Sequence, residues 1–106
     1  MSLPGEAEAA AFIRDHFHDH DLKSWVGLFE PILQGDKTHD LRVLDRDYKI
    51  GDILLLREYE PVTKVYTGRS CRVKVTFITS AIHTPCVFSP FALHPGMGVL
   101  SIKRVD

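Results

Sequence analysis

The sequence predicts an α+β domain: a small mixed or antiparallel β-barrel of about five strands with two or three flanking helices. Three observations lead there. Helical spacing is confined to the first third of the chain. After Gly35 the hydrophobic pattern changes to a period of two. The strands that follow are short and joined by turn-rich, non-helical stretches, which suits a small barrel better than a parallel sheet with helical crossovers.

The elements follow in order. "EAEAAAFIRDHF" (6–17) is rich in strong helix formers, and Ala10, Ile13 and Phe17 can share a face. A short first strand is expected around Leu22. Ser24 is a suitable N-cap for "WVGLFEPILQ", in which Trp25, Leu28, Phe29, Ile32 and Leu33 have amphipathic helical spacing. Pro31 falls inside that pattern; a mid-helix proline costs about 3 kcal/mol, so two short turns or a kink are expected. Gly35 is the natural stop. In the next strand Thr38, Asp40 and Arg42 share one face, and His39, Leu41 and Val43 the other. "DRDYKIGD" is a turn-rich connection. "ILLLREY" is apolar on both faces and so requires cover on both sides. "EPVTKVYTG" reads as a hairpin loop. "RSCRVKVTFITS" is an alternating strand with Cys71, Val73, Val75 and Phe77 facing in, and Arg72, Lys74 and Thr76 facing out. "AIHTPCVFSPFALHPGMG" is irregular, and "VLSIKRV" closes the chain as a last strand.

A length of 106 residues suggests one domain, large enough to bury a core without a metal or a disulfide framework. The longest strongly apolar run, Ile53 to Leu56, is far short of the roughly 18 residues of a membrane helix, so no membrane role is expected. The N-terminus has neither a basic region nor an apolar core of a secretory signal. Cys71 and Cys86 lack metal spacing and are read as reduced thiols, which points to a cytoplasmic protein. Charge is unevenly spread. Residues 1–36 carry seven acidic side chains against Arg14 and Lys23, a net of −5, and residues 37–106 carry eleven basic against seven acidic, a net of +4. No carboxylate side chain occurs from Pro61 to Val105, where Lys64, Arg69, Arg72, Lys74, Lys103 and Arg104 stand unopposed. Such asymmetry fits either an anion-facing surface or a lopsided soluble domain.

The stretch "GDKTHDLR" (35–42) concentrates the chemistry. Arg42 offers a planar bidentate donor suited to phosphate or carboxylate. Asp40 can accept from an exocyclic amine, and Thr38 can donate or accept. With Lys37 overhanging the same face, the set suits a nucleotide-like ligand. Spacing alone favours a plainer reading: an Asp40–Arg42 ion pair on a solvated strand, with Lys37 at a helix C-terminus. His16, His18 and His20 alternate and could meet a metal from a strand, but at a helix end they do not converge; no metal or other cofactor is expected. Cys86 with His83 or His94 matches no thiol-enzyme signature. Tyr48, Tyr59 and Tyr66 are interleaved with Arg46, Lys49, Arg57, Lys64 and Arg69, a combination that holds unstacked bases, or else an ordinary set of half-buried tyrosines.

The order "HDLK", "ILQGDKT", "HDLRVLDRDYK", "IGDILLLREYEP", "YTGR", "VKVTFI", "GVLSIKRV" resembles the ASCH domains of the PUA-like superfamily. Within them it is similar to a small bacterial and phage branch known as a domain of unknown function. "GDKTHDLR" lies close to that family's G-x-K-T-x-E-x-R pattern. The resemblance covers residues 20–106 and leaves 1–19 as an N-terminal helical extension. It implies a PUA-like barrel that binds RNA or a modified nucleoside in a cleft floored by the G-x-K-T stretch.

The expected ligand-binding residues are therefore Lys37, Thr38, Asp40, Arg42 and Tyr48, with Arg69, Arg72 and Lys74 on a nucleic-acid backbone. Some ASCH proteins remove the acetyl group from N4-acetylcytidine with a lysine, a threonine and a later glutamate. Lys37 matches the lysine, the threonine position falls on Asp40, and the later glutamate has no counterpart in the carboxylate-free run. A binding module is thus the first expectation and no catalytic residue is assigned. An amidohydrolase using Lys37 and Asp40 is the second, and a protein-interaction domain using the acidic N-terminal helix the third.

Overall fold

The computed structural model describes residues 5–82 and 96–106, so Cys86, His83 and His94, and with them most of the expected irregular segment, lie outside the described residues. The elements are α1 (Glu6–His16), β1 (His20–Trp25), α2 (Val26–Leu33), β2 (His39–Val43), β3 (Ile53–Glu60), β4 (Val65–Ser80) and β5 (Met97–Arg104). The strands form one five-stranded mixed sheet in the order β1-β3-β4-β5-β2. β1 runs parallel to β3, and the remaining pairs are antiparallel. The expected small α+β, barrel-like architecture is therefore present as a half-barrel. Its core is Leu22, Phe29, Ile32, Leu54, Leu56, Val73, Val75 and Leu100 with their neighbours. Each such side chain contributes about 1.5–3 kcal/mol by leaving water.

The curl of the sheet comes from β4. Its sixteen residues serve two partners in turn. Val65 to Lys74 pair with β3, and Val73 to Ser80 pair with β5. A register shift between Val75 and Phe77 inserts an extra residue, bends the strand and reverses the faces beyond it. Cys71, Val73 and Val75 face the core as expected, but Phe77 is exposed and Ile78 takes its place. Arg72 was expected outside and is buried instead, because the Phe17 carbonyl and Asp106 cover it. On β3 the run "ILLL" is not equally covered: Leu54 and Leu56 are fully buried, and Ile53 and Leu55 only half so.

The segment before β2 corrects two expectations. Ser24 is not a cap. Strand pairing with Glu58 and Tyr59 keeps the chain extended through Trp25, so Ser24 is buried in β1 and Trp25 occupies the N-cap without a side-chain cap bond. Pro31 does not break α2. It lies in the last turn, where the single lost i→i−4 bond would have gone to Gly27, an exposed residue. The helix ends in a Schellman motif: Gly35, at φ +84, donates to the Ile32 carbonyl at 3.0 Å, and Asp36 to the Pro31 carbonyl at 2.9 Å. Phe29 and Ile32 are buried, and Trp25 and Leu28 remain outside. Among the described residues no helix is long and apolar enough to cross a membrane.

Gly98 on β5 makes room for Leu44 at the end of β2: a Cβ there would lie 2.7 Å from Leu44 Cδ2 and 3.2 Å from its Cγ. Gly98→Val should displace Leu44 and cost about 1–3 kcal/mol, read as a lowered denaturation midpoint in urea.

Candidate functional site

β2 is folded against its hydrophobicity. Asp40 is only 5% exposed, whereas Leu41 and Val43 are 57% and 59% exposed. The face shared by Asp40 and Arg42 is thus turned inward, and the solvated-strand reading of "GDKTHDLR" does not hold. A buried carboxylate must be paired. Arg42 Nε donates to Asp40 Oδ2 at 2.7 Å, and Lys37 Nζ stands 3.7 Å from Asp40 Oδ1 while donating to the His39 carbonyl. Arg42 Nη2 also donates to the Lys23 carbonyl of β1 at 2.8 Å. The two edge strands of the sheet are thereby held across a seam.

A cleft of about 500 Å3 lies at that seam. Lys23, Leu41, Arg42 and Val43 line it from the strands, Arg46 and Tyr48 from the following loop, and Tyr66 from β4. A smaller hollow of about 250 Å3, bounded by Ser24, Trp25, Leu28 and Asp40, shares Lys23, Leu41 and Arg42 with it. Lys37 and Thr38 lie elsewhere, in a cleft of about 340 Å3 with Lys103 and Arg104. The five expected ligand-binding residues are therefore divided. Arg42 and Tyr48 share the large cleft, Asp40 and Arg42 the small hollow, and Lys37 and Thr38 the third space.

Tyr48 is buried, and its ring packs at 4.8 Å against His20. Burial pushes its hydroxyl pKa up, and the neutral phenol can donate a hydrogen bond. The more accessible ring is Tyr66, which stands 5.0 Å from Tyr59 and carries the Arg57 guanidinium 4.1 Å from its centroid. Lys23 Nζ lies 4.4 Å over Tyr59. Arg57 is bound in turn to Asp21 at 2.7 Å.

The residues expected on a nucleic-acid backbone differ in availability. Arg69 grips Glu58 with two donors, at 3.0 and 2.8 Å, and reaches Glu30 at 2.8 Å. Arg72 is bound to Asp106 and to the Phe17 carbonyl. Lys74 alone of the three is exposed without a side-chain partner among the described residues. His20 Nε2 donates to the Asp52 carboxylate at 2.8 Å, and His18 contacts the His16 carbonyl. No group of three metal-binding side chains occurs among the described residues. Burial raises the Cys71 thiol pKa, which makes it a poor nucleophile. Sequence reasoning did not single out Lys23, Trp25 or Arg104 for the site. Arg104 had a signal in the carboxylate-free run; Lys23 and Trp25 had none, because only the pairing of β1 brings them to the seam.

Two predictions follow from the buried carboxylates. Arg42→Ala leaves Asp40 with Lys37 as its one cationic partner among the described residues and should cost about 1–3 kcal/mol in chemical denaturation. Glu58 is held below the usual carboxylate range by hydrogen bonds from Arg69 and then Thr67. Its contribution is present above the unfolded glutamate pKa, roughly 4.3, and is lost as pH falls through the lower folded value. Glu58→Gln should therefore lower stability at neutral pH and flatten the acid limb of a stability–pH curve.

A family model described as "Domain of unknown function (DUF3850)" matches residues 19–102, which includes every residue of the seam. The chain is 37% identical over 60 residues to an uncharacterized 12.9 kDa protein in the GpA 3′ region of Escherichia phage P2. That match covers 57% of this chain and 53% of the phage protein, so the chain spans about half the length of that relative. The chain belongs to the DUF3850 family.

Proposed function

We propose that this protein is a nucleoside- or RNA-binding module of PUA-like, ASCH type, with the base seated in the seam cleft. The observation that carries the reading is the inverted β2 strand: Arg42, fixed by Asp40, opens onto a cleft of about 500 Å3 that also holds Arg46, Tyr48 and Tyr66. That size suits a small organic ligand. Tyr66 offers a face for a base, Tyr48 a hydroxyl donor, and Arg46 a cation whose side chain is 41% exposed. The half-barrel and the placement of the G-x-K-T turn beside it support the PUA-like assignment.

A second reading is an amidohydrolase acting on an N-acylated nucleoside. Its supporting observation is the Lys37 amine 3.7 Å from the Asp40 carboxylate, both shielded from solvent. Water would cleave the amide to give cytidine and acetate.

Arg46→Glu is the clean test, since among the described residues the Arg46 side chain bonds only to its neighbour Asp45, at 3.4 Å. Titration with cytidine, N4-acetylcytidine and a short single-stranded RNA should shift amides at Leu41 to Tyr48. Arg46→Glu should weaken binding about tenfold without unfolding the domain. Unchanged affinity in that variant would remove the seam as the ligand site. Free acetate appearing from N4-acetylcytidine, and lost in Lys37→Ala, would establish the hydrolase.

A further inference from the structure

The third cleft has a different character from the seam. It lies where the end of α2, the Gly35–Thr38 turn and the end of β5 meet, and its volume is about 340 Å3. Ile32, Val73 and Ile102 form an apolar floor, and Lys37, Thr38, Lys103 and Arg104 surround it. Among the described residues no carboxylate side chain lines it. The turn is pinned in place, because Ile102 N donates to the Thr38 carbonyl at 2.9 Å.

Two further features favour an anion there. The end of a helix presents unpaired carbonyls that repel negative charge. Here those carbonyls are occupied: Glu30 by Gln34 N, Pro31 by Asp36 N and Lys37 N, Ile32 by Gly35 N, and Leu33 by Arg104 Nη1 at 2.9 Å. The second feature is on the sheet. Lys103 stands directly opposite Lys74 in the antiparallel register of β4 and β5. Like charges so placed weaken a sheet. Neither lysine side chain has a hydrogen bond or ion pair among the described residues. Lys37 shares its charge with Asp40, but Lys103 has no such partner.

We propose that this cleft is a phosphate subsite. Lys103 and Arg104 supply charge, and Lys37 and the Thr38 hydroxyl supply donors. That the group attached to the phosphate is a nucleoside rests on the reading above; the anion site itself rests on the cleft. The ligand class is then a nucleotide or a phosphodiester, not a free nucleoside.

The test uses the full chain, isotope-labelled, at low salt. Inorganic phosphate, cytidine, cytidine 5′-monophosphate and a short oligocytidylate are titrated separately. Phosphate and the monophosphate should each shift the amides of Thr38, Lys103 and Arg104. The monophosphate should bind about tenfold tighter than cytidine, and Lys103→Glu should erase that difference. Lys64→Gln, on the β3–β4 turn, should not. Equal affinity for cytidine and its monophosphate, with no shift at those three amides, overturns the subsite and leaves the nucleoside reading standing. Phosphate shifts without cytidine binding leave the subsite and remove the nucleoside reading. Shifts with the oligonucleotide but with neither phosphate nor the monophosphate assign the site to a diester. An unchanged monophosphate affinity in Lys103→Glu overturns the proposal.

Discussion

Arg42 is the tie on which the arrangement of this domain depends. The sheet order places β1 and β2 at its two ends, yet the Arg42 guanidinium binds the Asp40 carboxylate of its own strand and the Lys23 carbonyl of the other. Only a curled sheet allows both bonds. The planar fork of arginine suits the task, since Nε and Nη2 can serve two acceptors in fixed directions, whereas a lysine ammonium would leave one of them. Burying Asp40 is what makes the tie strong: its charge, removed from water, is satisfied by Arg42 and approached by Lys37. Closing the half-barrel and neutralising a buried acid are therefore one physical problem, met by one guanidinium.

The other irregularities serve the same curl. β4 changes partners at Val73 and Lys74, and the extra residue before Phe77 gives the bend its angle. Gly98 lets Leu44 fold over β5, with Leu44 N bonded to the Gly96 carbonyl at 2.7 Å, which starts the loop that carries Arg46 and Tyr48 to the seam. That loop is anchored at its far end by Asp52, which accepts from Lys49 N at 2.9 Å and meets His20 at 2.8 Å. Each anchor positions a cleft residue without touching the space a ligand would occupy.

Much of this was legible in the sequence, and the limits have physical reasons. The alternation in "KTHDLRV" assigns Asp40 and Arg42 to one face correctly. It does not say that the charged face is the buried one, because burial depends on which strand lies across the seam. Gly35 was readable as a helix stop from its residue type alone. Ser24 misled, since a good capping residue is overridden when strand pairing with Glu58 keeps the backbone extended. Phe77 misled because a bulge shifts the period by one and nothing in "KVTFIT" announces it. Arg72 misled because its cover comes from Phe17 and Asp106, remote in sequence. The parallel pairing of β1 with β3, which makes Lys23 and Trp25 part of the site, leaves no trace in composition or spacing.

The charge asymmetry acquires a structural meaning once the clefts are separated. At the seam Arg42 is matched by Asp40, Arg57 by Asp21 and Arg46 by Asp45, so the large cleft is close to neutral. A near-neutral, tyrosine-lined space discriminates by shape and hydrogen bonding, not by long-range attraction. The cleft beneath Lys103 and Arg104 is the reverse: two of its three cations come from the run without carboxylates. Arg69 and Arg72, the most obvious cations of that run, are spent on Glu58 and Asp106. Counting bases along the chain does not show which of them are free: what remains available to an anion is set by which cations the fold has already paired.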